Sequence, residues 1–265
     1  MRIRLLANAW LPLVLFLSAH SSLRAVDHNN VDAGRPLSFD DAEAIAFRER
    51  AAEIGTGGIY PKGGPAGLAF STEFLYGFAL NSHLSVDLDA AAGGRAGTPE
   101  KDFQVGKLGL GLFHNFNREY GNAPAFSIRG DVALPTEKGA KGVEIRLRGI
   151  ASKALIQYDR LHLNLDGIVT TAPETGERRF RPGVVLGYSK PIGYPRSFIR
   201  TGVAEVSLQT PEQKGTGPVM SLGVGLRQQV TVRSLFDIGI RSDVLALDKA
   251  PHEDIQIIAG FSTSF

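Results

Sequence analysis

The sequence predicts an all-β fold: an antiparallel transmembrane β-barrel of about twelve strands, roughly ten to fourteen given drifting boundaries, behind a short N-terminal periplasmic extension. Three observations carry the prediction. Apolar and polar residues alternate with a period of two, the alternating runs reach the roughly ten residues that a tilted membrane strand needs, and long and short polar connections take turns between them.

Residues 1–25 open with the basic Arg2 and Arg4, continue through an apolar run from Trp10 to Leu17 and end in a small, polar tail at Ala19 or Ala25. That layout is a cleavable secretory signal. The apolar run is about half of the roughly 20 residues that cross a bilayer as a helix, which disfavours a retained anchor. Cleavage after Ala25 removes three arginines and no acid, taking the formal charge from +2 to (29 − 3) − 27 = −1. The basic balance of the full chain therefore says nothing about nucleic acid, and none is expected as a partner. Cysteine is absent, which excludes a disulfide framework and thiolate metal sites. No later stretch approaches about 18 consecutive apolar residues, so a membrane role falls to strands.

Residues 26–50 form the extension. Within it, Ser38 to Ile45 has the make-up of a short helix, with Ser38 as N-cap and acids in the first turn, placed at the periplasmic entrance as a lid, a partner contact or a plain leader. The barrel then takes residues 51–265, cut at clusters of Gly, Pro, Asn and Asp. Strands 51–61 and 67–79 come first, the second holding Ser71 and Glu73 in one phase. Strand 83–94 alternates without exception over Leu84-Ser85-Val86-Asp87-Leu88-Asp89. Strand 103–116 carries Lys107 in its polar phase, and 125–134 carries Arg129 and Asp131. Strand 143–157 begins Val143-Glu144-Ile145-Arg146-Leu147-Arg148, and 160–172 contains Leu161-His162-Leu163-Asn164-Leu165-Asp166. After 181–190, strand 196–209 is the least regular, because the phase that puts Glu205 inside puts Arg200 outside; a periplasmic interfacial position or a bulge resolves this. Strands 218–230, 235–246 (with Phe236-Asp237-Ile238-Gly239-Ile240-Arg241) and 255–265 (ending Phe261-Ser262-Thr263-Ser264-Phe265) complete the set. Strands of soluble sandwiches run nearer five or six residues, so length itself favours the membrane.

Connections 95–102, 135–142, 173–180, 210–217 and 247–254 read as long outer loops, whereas 80–82, 158–159, 191–195 and 231–234 read as short periplasmic turns; 117–124 is an exception on the short side. Tyr76, Phe78, Phe116, Tyr120, Phe126, Tyr158, Tyr188, Tyr194, Phe198, Phe236 and Phe265 then gather at the periplasmic interface, with Tyr60, Phe70, Phe103 and Phe180 in a thinner outer band.

The alternate set of each strand faces the lumen. Its candidate lining residues are Glu73, Asp87, Asp89, Lys107, Arg129, Asp131, Glu144, Arg146, Arg148, His162, Asp166, Glu205, Arg227, Arg241 and Asp243, with Ser71 and Asn164 among them. The signs nearly balance, which argues against strong ion selectivity. Cross-strand pairing that fills a narrow barrel and a lined path for solute are both compatible with this interior. Inward glycines, including Gly77, Gly109, Gly111, Gly187, Gly223, Gly225 and Gly239, leave room or permit curvature. His83 and Ser85 share a strand face, but Leu84, Val86 and Leu88 hold the outward phase, so the pair points away from any lipid substrate; no catalytic residue is expected. The remaining histidines lack metal-ligand spacing, and neither a metal nor a cofactor is expected.

Gly34-Arg35-Pro36-Leu37 with Asp40-Asp41-Ala42, the stretch His114-Asn115-Phe116-Asn117-Arg118-Glu119-Tyr120-Gly121, and the run from Pro218 to Asp243 resemble the outer-membrane barrels grouped as the meta-pathway of phenol degradation, or MetA-pathway, transporter-like family. The terminal Phe265 resembles the aromatic by which barrel-assembly machinery recognises its clients. The resemblance implies a Gram-negative outer-membrane location and uptake of hydrophobic or aromatic compounds. The combined expectation is a monomeric passive channel for small solutes in contact with outer-membrane lipid and lipopolysaccharide, or alternatively a plugged scaffold barrel whose loops meet envelope partners.

Overall fold

A computed structural model describes residues 35–265 except 62, 96–97, 137–141, 157, 194–195, 197–198 and 249, and omits the side chains of 95 and 98–102. The signal segment 1–25, and Tyr194 and Phe198, lie outside the described residues. The described chain forms twelve strands: β1 (Arg50–Pro61), β2 (Gly67–Ala79), β3 (Ser82–Arg95), β4 (Thr98–Asn117), β5 (Ala125–Leu134), β6 (Glu144–Ala154), β7 (Arg160–Thr170), β8 (Phe180–Pro191), β9 (Arg200–Gln209), β10 (Val219–Thr231), β11 (Ser234–Ala246) and β12 (Glu253–Ser264). Each pairs antiparallel with its neighbours in sequence, and β1 closes on β12. No helix long and apolar enough to cross a membrane occurs among the described residues.

Alternation decides the wall. On β7, Leu161, Leu163 and Leu165 are exposed at 37%, 39% and 55%, while His162, Asn164 and Asp166 between them are buried. Such a surface, apolar outside and polar inside, suits hydrocarbon and not water. Closure follows from the same environment, because an open edge in lipid leaves backbone groups unpaired. The seam runs from Ala51 opposite Ser264 to Pro61 opposite Glu253, and the Phe265 N–H donates to the Arg50 carbonyl below it at 2.9 Å.

Several boundaries differ from expectation. The residues taken as an eight-residue loop, 95–102, are largely strand, since β3 runs to Arg95 and β4 starts at Thr98; polar residues beyond the lipid level extend a hairpin as readily as they form a loop. Strand β9 begins at Arg200, four residues after its expected start, and Arg200 sits opposite Gln228 in regular register. Its outward charge is thus accommodated by a strand-end position, with no bulge.

At the centre of β7, Leu165→Arg is expected to cost about 2–4 kcal/mol, against about 0–1 kcal/mol for Leu161→Arg near the strand end. Denaturant unfolding of the barrel in phospholipid vesicles measures both.

Candidate functional site

The bore is occupied. Residues 35–49, expected at the periplasmic entrance as an extension with a short helix, contain no helix and lie inside the barrel as an extended belt. The belt meets the strands one after another around the wall. Arg35 reaches Glu53 on β1 and, at 3.2 Å, Ser262 on β12. Pro36 packs on Gly225 and Gly239, and Leu37 on Gly223. The Ser38 N–H and hydroxyl both donate to the Glu205 carboxylate on β9, at 2.8 Å each. Phe39 lies on Gly187 of β8 and stacks on His162 of β7, with ring centres 5.1 Å apart. The Asp40 N–H donates to Asn164 at 2.7 Å, and the Ala42 N–H to Ser152 on β6 at 2.9 Å. The Ala42 carbonyl accepts from Asn115 on β4 and Ser127 on β5. The Ile45 N–H donates to His83 on β3 at 3.3 Å, and the Arg48 N–H to the Gly77 carbonyl on β2 at 2.6 Å, after which β1 begins.

An irregular segment inside a barrel strands its backbone polar groups unless the wall supplies partners. Here Glu205, Asn164, Ser152, Asn115, Ser127 and His83 supply them. The helix expected over 38–45 loses to these bonds, because each would have to be surrendered for an internal one. The inward glycines explain themselves on the same grounds. A Cβ at Gly187 would sit 2.5 Å from the Phe39 ring, at Gly239 2.5 Å from the Pro36 carbonyl and at Gly77 2.0 Å from the Ala46 carbonyl. They form a track for the belt. Gly109 and Gly111 instead make room for the Asp87 and Ser85 side chains.

Around the belt lies a network of buried charge. Arg148 grips Asp166 with two nitrogens, at 2.7 and 2.8 Å, and Asp40 with a third at 2.8 Å. Arg129 binds Glu73 at 3.0 Å and Asp131 at 2.8 Å, with Asp40 at 3.8 Å, and Arg146 shares Asp131 at 2.9 Å. On the far side Arg227 binds Asp237 at 2.7 Å, while Arg160 at the start of β7 holds Glu43 of the belt at 2.7 Å.

The belt and network divide the lumen. Above them an outer cavity of about 900 Å³ rises to the loops, lined by Asp87, Asp89, Lys107, Asp131, Glu144, Arg146, Arg241 and Asp243 among others. On β1 to β3 its wall combines small residues, Gly55, Gly57, Gly58, Ala69, Ala90 and Ala91, with the polar Ser71, Asp87 and Asp89. Below lies an inner cavity of about 430 Å³, with Arg227 in its wall. Of the fifteen charged or histidine residues expected in the lumen, eight line the outer cavity and Arg227 the inner one. Glu73, Arg129, Arg148, His162, Asp166 and Glu205 are engaged in anchoring the belt or in the ion pairs beside it. His83 is stacked on Phe113 with centres 4.7 Å apart and carries a belt hydrogen bond, so it and Ser85 serve packing. Sequence reasoning passed over Glu53, Arg181 and Asp237, which the same alternation marks as inward, and the inward role of the belt residues Arg35 and Asp40, which the Arg-Pro-Leu and Asp-Asp-Ala blocks contain, and of Phe39 between those blocks.

Fold and bore together define a class: a closed twelve-stranded barrel of the outer-membrane type, with a polar lumen partly filled by its own N-terminal segment. No family model matches the chain, and no curated protein matches it. Among solved structures it is similar to the COG4313 outer membrane channel from Pseudomonas putida F1, at 15% identity and a TM-score of 0.68, covering 89% of this chain and 100% of that one. It is also similar to the KdgM porin solved in complex with disordered oligogalacturonate, at 8% identity and a TM-score of 0.54, covering 80% of this chain and 99% of that one. At such identities the likeness establishes the fold.

Proposed function

We propose that the protein is a passive outer-membrane channel, exported by residues 1–25, that admits small solutes from the loop side into the outer cavity and past the belt. The observation that carries this reading is the outer cavity of about 900 Å³, which is open toward the loops and lined by polar groups from nearly every strand. Small residues such as Gly55, Gly57, Ala69 and Ala91 stand in its wall among the charges of Asp87, Asp89, Lys107, Glu144, Arg146 and Arg181, a surface suited to solutes with an apolar or aromatic body and a polar group. The resemblance to the meta-pathway of phenol degradation family points to the same solutes. Lipid and lipopolysaccharide contact the wall, the assembly machinery reads Phe265, and the barrel works as a monomer without cofactor or nucleic acid.

Acids and bases alternate around the cavity, so weak selectivity is expected. Refolded protein lacking the signal segment, checked for heat-modifiable migration as the mark of a closed barrel, should give stable ohmic steps in planar bilayers with little preference for either ion sign. A folded barrel that never conducts would sink the channel and support the second reading, a plugged scaffold barrel. The belt is the observation that favours that alternative, since Leu37, Phe39, Asp41 and Ala42 are almost wholly buried.

A further inference from the structure

We propose that the Arg35 side chain is the door between the two cavities, closing a route that runs along the β1–β12 seam. The inference deepens the channel reading and rests on it for the passage of solute, though not for the position of the door. On β1 the outer cavity reaches Gly55 and the inner cavity reaches Glu53. These are consecutive inward positions, about 7 Å apart along a strand. Elsewhere the partition is thicker. On β11, Gly239 and Asp237 separate Arg241 above from Leu235 below, and on β10, Gly223 and Gly225 separate Ser221 from Arg227.

Arg35 is the material of the thin place. It lines the outer cavity, its Cδ lies over Gly55 and Gly260, and its guanidinium ends on Glu53 and Ser262, both in the wall of the inner cavity. One side chain thus spans the septum. Gly55 and Gly260 give it a flat bed, where a Cβ would come within 2.9 and 2.6 Å of Cδ. The guanidinium is held by side chains, Asp237 at 3.9 Å among them, and by the carbonyls of Ile54 at 3.4 Å and Phe261 at 3.2 Å, so swinging it aside breaks no strand pairing. The remainder of the belt has its own anchors at Glu205, Asn164, Ser152 and His83, and stays seated when Arg35 moves.

The chain has no cysteine, so a single Ala51→Cys in the wall of the inner cavity reports access cleanly. A charged methanethiosulfonate reagent is added on the loop side of bilayers holding the refolded full barrel. Arg35→Ala and Glu53→Gln are each expected to speed modification several-fold, with conductance rising in parallel. Faster modification without current would uphold the door and refute the channel. Unchanged modification in both variants, each migrating as a closed barrel, would overturn the door whatever the current does. Should Arg35→Ala fail to fold, Glu53→Gln carries the test. Asp40→Asn, which loosens the belt on β5 to β7, is expected to act less than Arg35→Ala; equal effects would mean that the belt leaves as a unit, and would overturn a local door.

Discussion

Replacing Arg148 by Ala is expected to destabilise the folded barrel by about 3–5 kcal/mol, the cost of removing one partner from a buried ionic network. Arg148 is 3% exposed and binds Asp166, Asp40 and the Ser38 carbonyl together. Without it two buried carboxylates face each other across the vacated space, and only Asp40 keeps a second cation, Arg129 at 3.8 Å. The loss falls on both wall and belt, because Asp166 belongs to β7 and Asp40 to the belt. Denaturant unfolding in vesicles reads it as a lower midpoint at unchanged slope. A loss under about 1 kcal/mol, the scale of an exposed pair, would mean that water reaches the network and replaces the guanidinium.

Phe39→Ala is expected to act on the belt and spare the wall. Phe39 is fully buried, clustered with Leu37, Val185 and Val203, and stacked on His162. Truncating a buried Phe to Ala costs about 3–5 kcal/mol. Since the belt docks through side-chain bonds and packing, that cost lowers the free energy of local opening. Amide exchange at Asp40 and Ala42, whose N–H groups donate to Asn164 and Ser152, should therefore quicken by about a hundred- to a few-thousand-fold at roughly 1.4 kcal/mol per tenfold. Strand amides such as that of Leu165 should change far less. Equal acceleration of both would show belt and wall to be one cooperative unit and would refute the separation.

Much of the barrel was legible in the chain because strand periodicity is local. Leu84-Ser85-Val86-Asp87-Leu88-Asp89 states which side chains face lipid without knowledge of any neighbour, and the observed burial follows it from Leu84 to Leu88, with Asp89 exposed where the β3–β4 register shifts. Boundaries outside the lipid level were not legible in the same way. Residues 95–102 are polar whether they form a loop or a hairpin projecting past the membrane, and pairing with the opposite strand decides between them.

The belt shows the other limit. Ser38-Phe39-Asp40-Asp41-Ala42 has a capping residue and early acids, which locally favour a helix. Tertiary structure overrides that preference with wall partners that come from strands β3 to β9, far away in sequence. The inward glycines were visible, yet their meaning was not, since a glycine that widens a pore and one that seats a packed segment look the same in one chain.

The sequence alone determined that this is a closed all-β barrel with an apolar outer wall and a charged interior, because alternation and strand length depend only on near neighbours and on the solvent each face meets. Only the tertiary structure decided that the interior is divided in two. That division depends on which distant side chains converge on residues 35–49, and convergence across a barrel is set by the register of strands far apart in sequence, which no local pattern encodes.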